Sequence, residues 1–324
     1  MHVKDELYGG FELDDVLGSL IASAPLHRLK GIYQGGASFQ VNRLWNVTRY
    51  EHSIGTMLLI RKLGGTLEEQ IAGLLHDVSH TAFSHVVDMA FGLEAEDYHE
   101  DIFEEVILRS EIPEILKRYG YSSQLILGDL KKWSLLEQEL PALCADRLDY
   151  TLRDQLRYGG ISQRDAKIFM DELQIVEGVI CVRSVEAAEW FTEVFYQEVI
   201  GFFLNPLNIY AYDTLAKTLK AAWDSGLIAS ADLLKEDAEL LQHLRGTNHP
   251  EVLQLLNQLY SNPALTEDEQ HFHIHRKTKV RLIDPDVVVM GKPIPSSQLS
   301  SRVKRLGREA KEKAEKGVYV KVGG

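Results

Sequence analysis

Residues 71–85, Ile-Ala-Gly-Leu-Leu-His-Asp-Val-Ser-His-Thr-Ala-Phe-Ser-His, constrain this chain more than any other stretch. They place His76, Asp77, His80 and His85 directly after an apolar run with helical spacing. Successive helical residues point about 100° apart, so His76 and Asp77 cannot share one face of a regular helix. Both can turn inward where a helix frays or ends, and a metal ion would draw them together. The plainer alternative is that His76 caps one helix end and Asp77 caps the next.

The surrounding pattern is helical. Tyr50 to Leu63 carries Ile54, Met57, Leu58 and Arg61 on successive turns, and Gly64-Gly65 ends it. Thr66 is expected to cap the next helix, with Glu69 completing a capping box, and that helix runs into His76-Asp77. A further helix is expected near Thr81, then others over 98–108, 113–119 and 141–158. Three more follow within 162–225 and two within 231–260, interrupted by a hairpin at 175–182. Residues 1–48 read as loops, a hairpin and one short helix. The end of the chain differs: 272–280 interleaves with basic residues, Val287-Val288-Val289 is strand-like, 297–316 is a charged helix, and 317–322 can return as an edge strand. The expected fold is mostly α, with a helical core over 1–260 and a small mixed α/β C-terminal subdomain over 261–324.

Composition narrows the function classes. At 324 residues, 45% of them apolar with only 9 Pro, the chain can bury a large core. Its 48 Asp plus Glu against 35 Lys plus Arg give a net charge of −13, the wrong balance for a stable nucleic-acid complex. Phosphate contacts must then come from a local basic cluster. Cys144 and Cys181 lie far apart, as in a reducing compartment. No stretch reaches the roughly eighteen apolar residues of a membrane span, and the N-terminus lacks the apolar core of a signal peptide. A cytoplasmic protein with no membrane partner is expected.

Upstream of the central stretch lies Arg49-Tyr50-Glu51-His52-Ser53, and downstream Asp146-Arg147-Leu148-Asp149-Tyr150-Thr151-Leu152-Arg153-Asp154. His52, His76, Asp77 and Asp146 thus form an ordered set, one ligand per helix apart from the central pair. Two imidazoles and two carboxylates suit Zn²⁺, Mn²⁺, Fe²⁺ or a similar ion better than Ca²⁺.

These residues, with their flanks, resemble the HD-domain metal-dependent phosphohydrolases, and most closely the deoxynucleoside triphosphate triphosphohydrolase branch. The resemblance covers about residues 40–160. It implies an HD-domain helical bundle and a divalent ion (Mn, Fe, Ni, Co or Zn, or Mg) on His52, His76, Asp77 and Asp146. It implies catalytic roles for His80 and His85, with His99 and Glu100 beside the attacking water. Arg49 and Arg147 would reach substrate phosphates, Tyr150 would pack on the sugar, and Arg153 and Asp154 would serve either substrate or fold. Asp88 is expected either to orient His85 or to be a solvated acid. A homo-oligomer is also implied.

One region departs from that pattern. Where the triphosphohydrolases carry Arg, His and Tyr, residues 194–206 are apolar and slightly acidic, without Arg or Lys. The cluster Arg276-Lys277-Thr278-Lys279-Val280-Arg281 could compensate, although its plainer reading is a solvated strand face. The expected activity is dNTP hydrolysis to deoxynucleoside and tripolyphosphate. The alternatives are hydrolysis of another nucleotide or small phosphoester, or nucleotide binding for regulation with little turnover.

Overall fold

Helices laid around one buried ionic network make up most of the chain; the computed structural model describes residues 1–323. Three helices carry the centre. Arg49–Lys62 starts at a capping box in which Thr48 Oγ1 accepts from Glu51 N at 3.2 Å while Glu51 accepts from Thr48 N at 2.9 Å. That fixed start places His52 on the first turn. Leu67–Leu75 is capped by Thr66, which accepts from Glu69 N. Glu69 does not complete the expected capping box. Its carboxylate instead accepts from Leu135 N at 2.7 Å, a buried donor with a stronger claim than an exposed cap. Ala145–Arg157 begins later than expected, because residues 141–144 are not helical.

Leu58, Leu59, Leu74, Leu75, Leu148 and Leu152 are fully buried among these three helices. Each contributes about 1.5–3 kcal/mol of burial free energy. Leu74 and Leu75 immediately precede His76, so the core itself drives the helix end into the interior. A second core forms where Pro206–Asp224 packs against Val86–Phe91 and Pro250–Leu259.

No helix spans residues 76–85. Phe83 and Ser84 have φ of 61° and 50°, outside the right-handed region, so the expected helix at Thr81 starts only at Val86. The long helix expected over 185–203 is α-helical over Val185–Tyr196 and then widens into a π-helix, Gln197–Phe202. That wide turn delivers Phe202 to the cavity described below.

The strands are short. β1 (His2–Asp5) and β2 (Gly9–Glu12) form an antiparallel N-terminal hairpin. β3 (Leu173–Val176) and β4 (Val179–Val182) form the expected second hairpin. β5 (Leu265–Glu267), β6 (Ile274–Arg276) and β9 (Val318–Val322) make a sheet ordered β5-β9-β6. β7 (Asp286–Val289) pairs parallel to β4 and antiparallel to β8 (Lys292–Pro295), so residues 261–323 feed two sheets. Among the described residues no helix is long and apolar enough to cross a membrane.

Gly55 faces the buried Asp149–Arg153 ion pair so closely that a methyl group there would overlap both side chains. Gly55→Ala is expected to cost at least about 2 kcal/mol in urea denaturation. Gly246→Ala, with open space around it, is the control and is expected to change stability by no more than about 1 kcal/mol.

Candidate metal centre

His52 is nearly inaccessible, and its two nitrogens have opposite surroundings. Nδ1 lies 2.8 Å from Oδ2 of Asp149, a fully buried carboxylate. Asp149 also accepts from Tyr8 Oη at 2.8 Å and from Arg153 Nε and Nη2 at 3.0 and 2.9 Å. Arg153 pairs in turn with Asp5 at 3.0 Å, so the N-terminal hairpin closes the network from below. With Nδ1–H committed to Asp149, Nε2 of His52 carries the lone pair. It faces Asp146 Oδ1 at 3.0 Å and Asp77 Oδ2 at 3.6 Å.

His76 repeats the arrangement. Its Nδ1 donates to Gly73 O at 2.8 Å, fixing a lone pair on Nε2. That Nε2 is buried without a hydrogen-bond partner and lies 3.5 Å from both Asp77 Oδ1 and Asp146 Oδ1. Two imidazole lone pairs and two carboxylates therefore converge with no proton donor between them. Donors about 2.1 Å from one ion lie roughly 3.0–3.5 Å from each other, so this group fits a divalent metal. Burial opposes a charged His52, but the hydrogen-bonded carboxylates Asp146 and Asp149 push its pKa up to about 10. Burial likewise opposes charge on Asp77, while Arg49, His76 and His80 hold its carboxyl well below the usual range.

A second set, Asp77, His80 and His99, is also compact. His80 and His99, however, stack with ring centroids 3.8 Å apart and planes 15° from parallel. An ion must lie near the plane of each imidazole it binds, and two planes this close to parallel meet only well beyond bonding distance of either ring. This pair suits two neutral rings. Burial is the main reason the pKa of His80 is pushed down, with Arg49 next, and burial takes His99 down to about 3.

The cluster floors a cavity of about 290 Å³, the scale of a small-molecule site rather than a polymer groove. His85 enters it with its side chain 31% exposed, and its Nδ1 is held 3.1 Å from Asp88 Oδ2. Asp88 is buried and also accepts from Tyr98 N, so it orients His85 and is not a solvated acid. The left-handed pair Phe83-Ser84 makes this entry possible. Phe83 N donates to Asp237 at 2.7 Å, Ser84 Oγ donates to Tyr33 O at 2.8 Å, and Arg49 Nε donates to Ser84 Oγ. Such strain persists only where neighbours hold it, at about 1–3 kcal/mol per residue.

Arg49, His99, Glu100, Tyr150 and Asp154 also line the cavity. Arg49 is bound to Asp77 at 2.7 Å, Glu100 sits at the exposed rim, and Tyr150 is half-buried. Arg147 and Arg153 do not line it. Arg147 donates to the carbonyls of Gln138 and Ala142, and Arg153 is spent on Asp149 and Asp5.

Several cavity residues escaped the sequence reading. Gln34 donates to Asp154 Oδ2 at 3.0 Å, while Gln34 Oε1 and Asp154 Oδ1 are buried without partners. Burial, followed by the Asp146 charge, raises the pKa of Glu137 to about 7. Glu96, Tyr212, Arg276, Lys277, Thr278 and Arg281 also line the cavity, so the basic segment is not a merely solvated strand face. Only Asp149 and the basic segment left a trace in sequence, the former through its i+3 spacing from Asp146 and i+4 spacing to Arg153.

Asp149→Asn keeps the shape of the buried partner but removes the charge that fixes His52. Metal affinity, measured by competition with a chromogenic chelator, is expected to fall about 10–100-fold while the protein remains folded. Unchanged affinity would remove Asp149 from this role.

Comparison with known proteins agrees with this geometry. A family model described as HD domain matches residues 49–154, the span from Arg49 to Asp154. YdhJ of Bacillus subtilis is 56% identical over 322 residues, covering 99% of each chain. The metal-dependent phosphohydrolase cns2 of Cordyceps militaris is 31% identical over 303 residues, 91% of this chain and 87% of that one. The deoxynucleoside triphosphate triphosphohydrolase SAMHD1 of Bos taurus is 25% identical over 244 residues, but these cover only 58% of this chain and 41% of that protein. The lone pairs gathered around Asp77 and Asp146, the matched span and the similarity to a named enzyme along nearly the whole chain lead to one conclusion: this chain belongs to the HD-domain metal-dependent phosphohydrolases.

Proposed function

We propose that the chain hydrolyses a nucleotide, and specifically a deoxynucleoside triphosphate to deoxynucleoside and tripolyphosphate. The observation that carries this reading is a single cavity lined both by the metal cluster and by His85, Arg276, Lys277 and Arg281, a set suited to a chain of phosphates. Tyr150 and Phe202 in the same lining suit the nucleoside. The similarity to the triphosphohydrolase SAMHD1 supports the same substrate class.

His52, His76, Asp77 and Asp146 would hold a divalent ion, from among Mn, Fe, Ni, Co, Zn or Mg. When bound, that ion supplies positive charge for a phosphoryl oxygen and lowers the pKa of water. Arg49, fixed by Asp77 and Ser84, presents its outer N–H groups to the same phosphoryl group. Because phosphoryl transfer depends chiefly on positioning and charge, a preset guanidinium is worth nearly as much as a ligand. His85 faces the cavity beside Asp88, which supports assigning it the proton for the leaving oxygen. The stacked His80–His99 pair positions Asp77 and His85, and Glu100 at the rim accepts from the incoming water. Tyr150 packs against the sugar.

A second reading, hydrolysis of a simpler phosphoester, draws on the apolar wall of Phe202, Phe203 and Leu204. Product analysis separates the two. With dNTP and Mn²⁺ or Co²⁺, tripolyphosphate is expected by ion chromatography; orthophosphate would favour the simpler reading. Asp77→Ala is expected to abolish both bound metal and turnover, and retained activity would contradict this site assignment.

A further inference from the structure

Nothing in the metal chemistry uses the cations of the C-terminal segment, yet they are held over the cavity mouth. Ile274 of β6 is buried with Val318 and Val320 of β9 against Leu204, Ile209 and Tyr210. This packing anchors the chain that follows, so Arg276, Lys277 and Arg281 line the same cavity as His85. The anchor is part of the core, and the cations are therefore in place before any ligand arrives.

Their charge is not balanced locally. Glu96 takes three of them, with Arg281 at 2.7 Å, Arg276 at 3.6 Å and Lys279 at 3.8 Å. Lys277 has no ion pair among the described residues, and its side chain is exposed. Arg281 is further fixed by a bond to Thr278 Oγ1 at 3.0 Å and by its position over the Phe203 ring, 5.5 Å from the centroid. Glu96 itself has a left-handed backbone, φ 53°, which is uncommon outside glycine and turns its carboxylate toward these cations.

A single phosphoryl group at the metal cluster would already be met by Arg49 and the histidines. Cations beyond His85 serve only an anion that extends farther. The chain's net charge of −13 disfavours a long polyanion. Guanidinium forks match phosphate oxygens, and a preordered group loses little side-chain freedom on binding.

We propose that Arg276, Lys277 and Arg281 form a binding site for the distal phosphates of a polyphosphate-bearing substrate, with Glu96 holding the arginines until those phosphates displace it. The inference deepens the nucleotide reading and rests on it for the reaction, but not for the binding. Lys277 and Arg281 act as substrate-length selectors: they favour a triphosphate over a monophosphate without touching the bond that breaks, and Glu96 offsets part of that preference.

The test is calorimetric titration of the metal-loaded protein with inorganic tripolyphosphate and with orthophosphate. Excess Mg²⁺ makes chelation by the probe equal for every variant. Lys277→Ala and Arg281→Gln are each expected to weaken tripolyphosphate about tenfold while leaving orthophosphate unchanged, as for loss of one charge-assisted contact. Glu96→Gln, which removes the competing charge and keeps the length, is expected to tighten tripolyphosphate at least about threefold. Lys277 is exposed, so its variant is not exposed to loss of folding. Unchanged tripolyphosphate affinity in Lys277→Ala, or equal weakening of both probes in Arg281→Gln, would overturn the proposal. The readout is independent of turnover. Tripolyphosphate bound through these residues without dNTP hydrolysis would keep this site and remove the dNTPase reading. Hydrolysis of dNTP with an unchanged KM in both variants would do the reverse.

Discussion

The hydrogen bond between His52 Nδ1 and Asp149 is the constraint on which the rest of the site depends. It lies in the least accessible part of the molecule, where an unpaired carboxylate would cost several kcal/mol. Asp149 is tolerated there because Tyr8, His52 and Arg153 share its two oxygens. The arrangement commits one face of the imidazole to structure and leaves the other for chemistry. The Gly73 carbonyl does the same for His76. Two lone pairs thus point at two carboxylates, an arrangement with unfavourable electrostatics unless a cation or protons lie among them. The stability of the core is what holds these groups in opposition.

The His85 side of the cavity depends on a different device. Between His80 and His85 the chain crosses left-handed φ values at Phe83 and Ser84, and contacts to Asp237, Tyr33 and Arg49 hold it there. A regular helix from Thr81 would have carried His85 away from the metal cluster. Local strain is thus balanced by a hydrogen-bonded frame drawn from residues as distant as Tyr33 and Asp237. The same frame fixes Arg49, so its guanidinium and the His85 imidazole are positioned together.

How much of this was legible in sequence follows from the range of the interactions. Thr66 announced its helix because caps are local, and the apolar run before His76 announced a buried helix end. The grouping of His52, His76, Asp77 and Asp146 was visible as an ordered motif on helices that must pack. Arg147 and Arg153 were harder, because an arginine held by backbone carbonyls or by Asp5 has the same letter as one facing a phosphate. The positive φ at Phe83 and Ser84 is set by distant partners and carries no residue signature. Gln34, Glu96 and Glu137 reach the cavity only through tertiary packing, and no local pattern marks them. The 276–281 cluster was visible as charge, but its place over the cavity depends on Ile274, Val318 and Val320 packing against the Pro206–Asp224 helix.

Two compact sets of donors share this pocket, and only their ring geometry distinguishes them: His52, His76 and Asp146 converge, whereas His80 and His99 stack. Anomalous diffraction from crystals of the chain grown with Mn²⁺ or Co²⁺ tests the central claim directly. The account predicts one peak about 2.0–2.3 Å from His52 Nε2, His76 Nε2, Asp77 and Asp146. A peak bound instead by Asp77, His80 and His99 would contradict it.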